Sequence, residues 1–219
     1  MLILVSYKSL IIGAGMARKT AATRKAEIVA TTLRLADELG PDRLTTQAVA
    51  DAVGLTQPGV FRHFPTKQVL WQAVAETIDA TMTEAWETAL AGSPAPLDRL
   101  ALLIRTQLRQ IEGNPAIPAI LHSRELQTEN TDLRDRFRSL MMRFQALLRA
   151  ELIAARDAGQ ICGDIDADDG AVLLISLVQG LAIRWALGNR SFPLEFEGAR
   201  LVGAQIRLFR TDAAKEIRT

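Results

Sequence analysis

The 219-residue sequence predicts an all-α protein of about nine helices, with a three-helix head followed by a longer helical body. Two observations predict it. Ala, Leu, Arg, Glu and Gln dominate the composition, and all of them favour helix. Apolar residues recur at intervals of three and four, and no stretch alternates apolar and polar positions in the manner of a strand. With 48% hydrophobic residues, the chain is long enough to bury one sizeable core, or a small head plus a larger body.

Residues 1–15, MLILVSYKSLIIGAG, are apolar but carry Lys8 in mid-run and have no charged leader, a poor match to a secretion signal. Residues 1–16 therefore read as a disordered or mis-started tail ahead of Met16. The first helix is expected over residues 23–39, where Ile28, Val29, Leu33, Leu35 and Ala36 form an apolar stripe. Gly40 and Pro41 stop it, because glycine enters the left-handed region and proline resists further helix.

Thr45 is placed to cap a short helix over residues 46–53, since its hydroxyl can accept from the exposed first-turn amides. Gly54 supplies a tight turn, Leu55 fills the space under it, and Thr56 caps a third helix over residues 57–64. Pro58 falls in that helix's first turn, where a missing amide hydrogen costs nothing. Ala50 allows the two helices to approach, Gly54 permits the reversal, and Val60 packs the second against the first. This is the steric pattern of a helix-turn-helix over residues 45–64. The head is expected to span residues 17–66 and the body residues 67–219.

A fourth helix begins near Thr66 and carries Trp71, Val74, Ile78, Met82, Trp86 and Leu90, which would join head to body. The run Gly92-Ser93-Pro94-Ala95-Pro96 breaks it. Further helices are expected over residues 97–112, from Asn114-Pro115 onward, over residues 132–158, from the Asp166 cap to residue 187, and over residues 194–209. Residues 172–187 are interrupted by Gln179, Gly180 and Arg184 and are shorter than the roughly 20 apolar residues that span a bilayer, so they read as a buried helix.

Net charge is only +1, but it is unevenly distributed. Residues 16–70 hold eight Lys/Arg against five Asp/Glu, while residues 71–219 hold 17 against 20. Much of the basic excess lies in a short arm of Arg18, Lys19, Arg24 and Lys25, suited either to riding on DNA phosphates or to an ordinary solvated terminus. The single cysteine, Cys162, cannot form an intramolecular disulfide, which favours a reducing compartment such as the cytoplasm. With two histidines, one cysteine and no glycine-rich phosphate loop, no catalytic group, metal site or cofactor is expected.

Across residues 23–71, the positions Thr45, Val49, Ala50, Gly54, Thr56, Gly59, Phe61, His63, Phe64, Lys67 and Leu70 resemble the DNA-binding head of the TetR family of transcriptional regulators. The rest of the chain resembles that family in architecture alone. The resemblance implies a ligand-responsive regulator of double-stranded DNA, most often a repressor, whose fourth helix transmits ligand binding to the head by tilting.

In a helix-turn-helix the second helix enters the major groove by its N-terminal end, so Gln57, Pro58 and Gly59 are the expected base readers. Gln57 can both accept from and donate to adenine, and Arg62 reaches guanine or a phosphate. Phosphate contacts are expected from Thr45, Thr56 and Lys67, with Arg18 and Lys19 from the arm. His63 reads either as a phosphate contact or as packing beneath the recognition helix. At Phe61 the family usually carries Tyr, whose hydroxyl bonds a phosphate; a phenyl ring keeps the packing but has no donor.

A small-molecule pocket is expected where the body helices converge, lined by Trp86, Leu103, Ile104, Leu121, His122, Phe137, Met141, Phe144 and Gln179, although simple core packing is the favoured reading of each apolar member. Such a lining suits a largely apolar effector. Arg124 and Arg184 are either further polar anchors or surface residues. The last two helices are apolar nearly all round, and a single core covers only one face. A four-helix homodimer interface through Leu174, Leu177, Leu181, Trp185, Leu201, Val202 and Ile206 follows, as the family resemblance also implies. Two-fold symmetry then predicts a palindromic operator. An enzyme, or a helical dimerisation module without DNA binding, remain the alternative classes.

Overall fold

The computed structural model describes residues 20–93 and 95–210, and among these it contains ten helices and no strand. The all-α expectation holds. The helix beyond the expected nine is a six-residue turn and a half in the middle of the body.

Helix α1 (Ala21–Leu39) starts two residues earlier than expected because Thr20 caps it, its hydroxyl accepting from the Thr23 amide at 3.1 Å. Gly40, at φ +84°, ends it. Helices α2 (Thr46–Ala52) and α3 (Gln57–Phe61) are joined through Gly54 at φ +67°, with the Leu55 amide bonding back to the Ala50 carbonyl at 2.9 Å. Ala50, Val49 and Val60 are fully buried between them, as the helix-turn-helix spacing requires. The recognition helix ends at Phe61 rather than residue 64, and Phe64 turns inward to the core.

Helix α4 (Lys67–Ala91) belongs to both parts, packing on α1 at its start and on the body along its length. Helix α5 (Pro96–Gly113) is the axis of the body, covered by α4, by α8 (Thr131–Asp157), by α9 (Ala167–Leu187) and by α10 (Leu194–Phe209). That central position is why Leu100, Leu103, Ile104 and Leu108 are all fully buried. Between α5 and α8 lie α6 (Ala116–His122) and the additional α7 (Arg124–Glu129), separated only by Ser123. Pro118 sits in the first turn of α6, where no intrahelical bond is lost. Ser123 then caps α7 and Asn130 caps α8, so the chain changes direction twice within nine residues while satisfying its exposed amides.

Helices α5 and α10 meet at Gly198, where an added Cβ would lie 2.2 Å from Leu108 Cδ1. The same contact is clamped by charge. Glu112 accepts from the Leu194 and Glu195 amides at 2.9 and 3.0 Å, capping α10 from outside. The carboxylate of Glu195 is gripped by Arg109 and Arg105, and this pairing holds its pKa down at about 2. Helix α9 is long and apolar enough to cross a membrane by composition, but Leu174, Val178, Leu181 and Trp185 are buried against the rest of the body.

Candidate nucleic-acid interface and effector cleft

The expected DNA-contact residues from Thr45 to Lys67 lie at the starts of α2 and α4 and along α3, with differences that only packing decides. Thr45 and Thr56 cap α2 and α3 by accepting from the Ala48 and Gly59 amides at 3.1 and 3.2 Å. Thr66 does the same for α4 through the Val69 amide at 3.1 Å. A hydroxyl that accepts in this way keeps its own hydrogen free to donate outward. Pro58 and Arg62 are exposed, while Gln57, Phe61, His63 and Lys67 are half-buried around them.

Gln57 is not a free arm. Its Nε2 donates to Thr46 Oγ1 at 2.7 Å, tying the recognition helix to α2 and orienting the amide, while Oε1 and the second amide hydrogen remain available. Thr46 is itself buried, so this strut is well defended from solvent. No periodicity in the sequence signals the bond, because the two residues lie eleven apart on different helices.

Gly59 is buried, its amide is used by Thr56, and an added Cβ would lie 3.3 Å from Thr56 Oγ1 and 3.5 Å from Leu55 Cβ, so glycine also suits the close fit of the turn against the helix. The basic arm also divides. Arg24 and Lys25 lie within α1, where Arg24 pairs with Glu27 at 2.8 Å and Lys25 sits 5.7 Å from the Phe64 ring centroid. Arg18 and Lys19 lie outside the described residues.

In the body a cleft enclosing about 560 Å³, its open mouth included, is walled by α4, α5, α6, α8 and α9. Six of the nine expected residues line it: Trp86, Leu121, His122, Met141, Phe144 and Gln179. Leu103, Ile104 and Phe137 do not, because each points into the core between helices. Gln107, Ile111, Ile117, Pro118, Leu140, Ile175, Val178 and Ala182 complete the wall. They were missed because a helix buried on several sides gives no sequence signal for which stripe borders a cavity. Trp86 stacks on Phe144 with centroids 5.0 Å apart and 25° between planes, and its indole donates to Gln107 Oε1 at 2.9 Å. His122 meets the Pro118 carbonyl through Nδ1 at 2.7 Å.

Helix α6 has the cleft on one side and α1 of the head on the other. Immediately after His122, Ser123 donates to the Asp42 carboxylate in the α1–α2 loop. Asn130 Nδ2 reaches the Gln68 carbonyl at 3.2 Å, and Arg190 pairs with Asp37 of α1, with one of its two bonds at 3.0 Å. Head and body are therefore joined by the Ser123–Asp42 bond, which begins next to the cleft, and by the Arg190–Asp37 pair, in addition to the shared α4.

The expected dimer residues are largely corrected. Leu174, Leu181, Trp185, Val202 and Ile206 are buried inside the subunit, with Leu177 and Leu201 half-buried beside them. The uncovered apolar surface of the same two helices is a different stripe. It comprises Val172, Leu173, Ile183 and Leu187 on α9, with Phe196 and Leu208 on α10, Leu187 being 84% and Leu208 76% exposed. Gly180 lies in this α9 face, and nothing approaches within 4 Å of where its Cβ would be.

Residues 28–74 match the family model of bacterial regulatory proteins of the TetR family, and residues 96–206 match the C-terminal model of BetI-type transcriptional repressors. A nucleoid occlusion factor SlmA from Vibrio atlanticus is 30% identical over 196 residues, covering 88% of this chain and all of that protein. Among solved structures, a TetR transcription regulator from Haloarcula marismortui superposes with a TM-score of 0.75 at 23% identity, over 87% of this chain and 100% of its own. A transcriptional regulator from Saccharomonospora viridis, solved in complex with choline, gives 0.74 at 20% identity, over 85% and 96%.

Proposed function

The chain belongs to the TetR family of DNA-binding transcriptional regulators, and on that premise we propose that it is a repressor, binding a palindromic operator as a homodimer and released by a small, largely apolar effector. The observation that carries the reading is the capped α2–Gly54–α3 unit, which presents Gln57 and Pro58 at the start of a recognition helix and Arg62 at its end. Gln57 reads adenine with the amide face that Thr46 leaves free, and Arg62 reaches guanine or phosphate. Thr45, Thr56, His63 and Lys67 grip phosphates, with Arg18 and Lys19 ahead of them; Phe61 contributes packing only.

The homodimer forms through the exposed stripe of α9 and α10, where Gly180 allows close helix approach and the flanking leucines bury against their symmetry mates. The effector occupies the cleft. Its signal passes to the head along α4 and through α6, since the same short helix touches cleft, α1 and, by way of Ser123, Asp42.

The test is anisotropy titration of the DNA upstream of the protein's own gene and of random duplex, over a range of salt. Gln57→Ala is expected to remove about 1–3 kcal/mol of preference between the two duplexes, whereas Lys67→Ala weakens both alike and flattens the salt slope by about one. Thr46→Val, which leaves Gln57 without its strut, is expected to behave like a milder Gln57→Ala. Equal affinity of the parent protein for both duplexes at moderate salt would sink the repressor reading.

A further inference from the structure

The polar groups around the cleft are reduced by their own internal bonds to a small set of known sense. An indole N–H only donates, so Trp86 fixes Gln107 with Oε1 toward the indole, which leaves the amide hydrogens of Gln107 unspent. A backbone carbonyl only accepts, so the His122 Nδ1 that meets Pro118 O must carry the hydrogen. The neutral ring then presents Nε2 as a bare acceptor. Gln179 rests its amide nitrogen 3.8 Å from Met141 Sδ and keeps Oε1 free, a second acceptor.

Among the described residues, no Asp, Glu, Lys or Arg lines the cleft. A permanently charged group placed there would lose its hydration without gaining a counter-ion, a cost that its apolar contacts must first overcome. Trp86 and Phe144 each turn one face to the other, which leaves at most one face of each ring to a cation in place of a counter-ion. The rest of the wall, including Ile111, Leu140 and Val178, is aliphatic and suits a ring or short hydrocarbon. The cleft, about 560 Å³ with its open mouth included, has room for one or two fused rings.

We propose that the effector is an uncharged, mainly apolar molecule bearing a hydroxyl, of the phenol or naphthol class, whose O–H donates to His122 Nε2. This rests on the cleft being the effector site. A phenol fits where a carboxylate does not, because it brings the one donor that His122 lacks and no charge to bury. His122 lies at the exposed rim of the cleft, so replacing it leaves the core of the body untouched.

The experiment is calorimetric titration of the full-length protein with 1-naphthol, naphthalene, 1-naphthoate and a naphthylmethyl-trimethylammonium ion. Affinity for the upstream DNA is followed in parallel. 1-Naphthol is expected to bind about tenfold more tightly than each of the other three, the value of one hydrogen bond. His122→Ala should bring naphthol down to the level of naphthalene and leave naphthalene unchanged, while His122→Gln, which keeps an acceptor, restores part of the difference. Tighter binding of either charged probe, an unaltered naphthol affinity in His122→Ala, or no binding by naphthol overturns the proposal. Naphthol that binds as expected without changing DNA affinity sinks the effector reading and leaves the ligand class standing. Release of DNA by a charged probe seated in the cleft does the reverse.

Discussion

In the head and the first helix of the body, α1, α2, α3 and α4 each begin at a threonine whose hydroxyl accepts from an amide three residues on. Deeper in the body, α5, α6 and α10 begin without a side-chain cap of their own, and α10 borrows its cap from Glu112, more than eighty residues away. The head's helices are thus capped by near neighbours in sequence throughout, whereas the body mixes local caps at α7, α8 and α9 with one lent from a distant residue. Each part carries its site accordingly. The DNA face is a set of consecutive residues held by caps and one tight turn, whereas the cleft draws its wall from five helices.

The difference can be broken open by mutation, and the largest effect is expected in the head. Ala50 is fully buried where α2 meets α3, and Ala50→Leu should cost about 3 kcal/mol by overpacking. Thermal unfolding followed by circular dichroism should then show an early transition for the head and loss of DNA binding, with calorimetric ligand binding in the body retained. Loss of both functions together would show that the two parts share one cooperative core.

The matching change in the body is Gly198→Ala, whose Cβ would collide with the fully buried Leu108 side chain and force it to shift. About 1–3 kcal/mol is expected to be lost, measured by urea unfolding, with the head's preference between duplexes unchanged in the molecules that remain folded. A change in that preference would mean that the α5–α10 contact reaches the DNA face.

The smallest effect is expected for Glu195→Gln, on a carboxylate shared by two half-exposed arginines. The folded-state pKa of about 2 lies below the ordinary carboxylate value, so the charge stabilises the fold above that ordinary value and its contribution disappears as pH falls toward 2. Parent and variant should therefore differ by no more than about 1 kcal/mol at neutral pH after allowance for solvent screening, and converge on acidification between about 4.5 and 2. A difference that persists at the acid end would assign the effect to packing rather than charge.

How much was legible follows the same division. The caps at Thr45 and Thr56, the turn at Gly54 and the burial of Ala50 and Val60 were readable, because each depends on residues within the single stretch 45–64. The close packing of Gly59 against Leu55 and Thr56 was not readable, since it looks like any other small residue in a first turn. Short α7 escaped notice because six residues cannot display a helical period, and its start at Ser123 looks like a loop serine. On α9 and α10 the apolar character was visible, but not its allocation: residues such as Leu174 and Leu173 are chemically identical, and only the rotation of α9 against its neighbours buries one and exposes the other.

By itself the sequence determined an all-helical chain with a helix-turn-helix at its front, because caps, glycine turns and periodic apolar positions act over a few residues. Tertiary structure alone decided which side of α9 and α10 faces outward, which of the body's apolar side chains border the cleft, and that Thr46 orients Gln57. Those outcomes depend on how helices far apart in the chain rotate against one another, and a local pattern carries no record of that rotation.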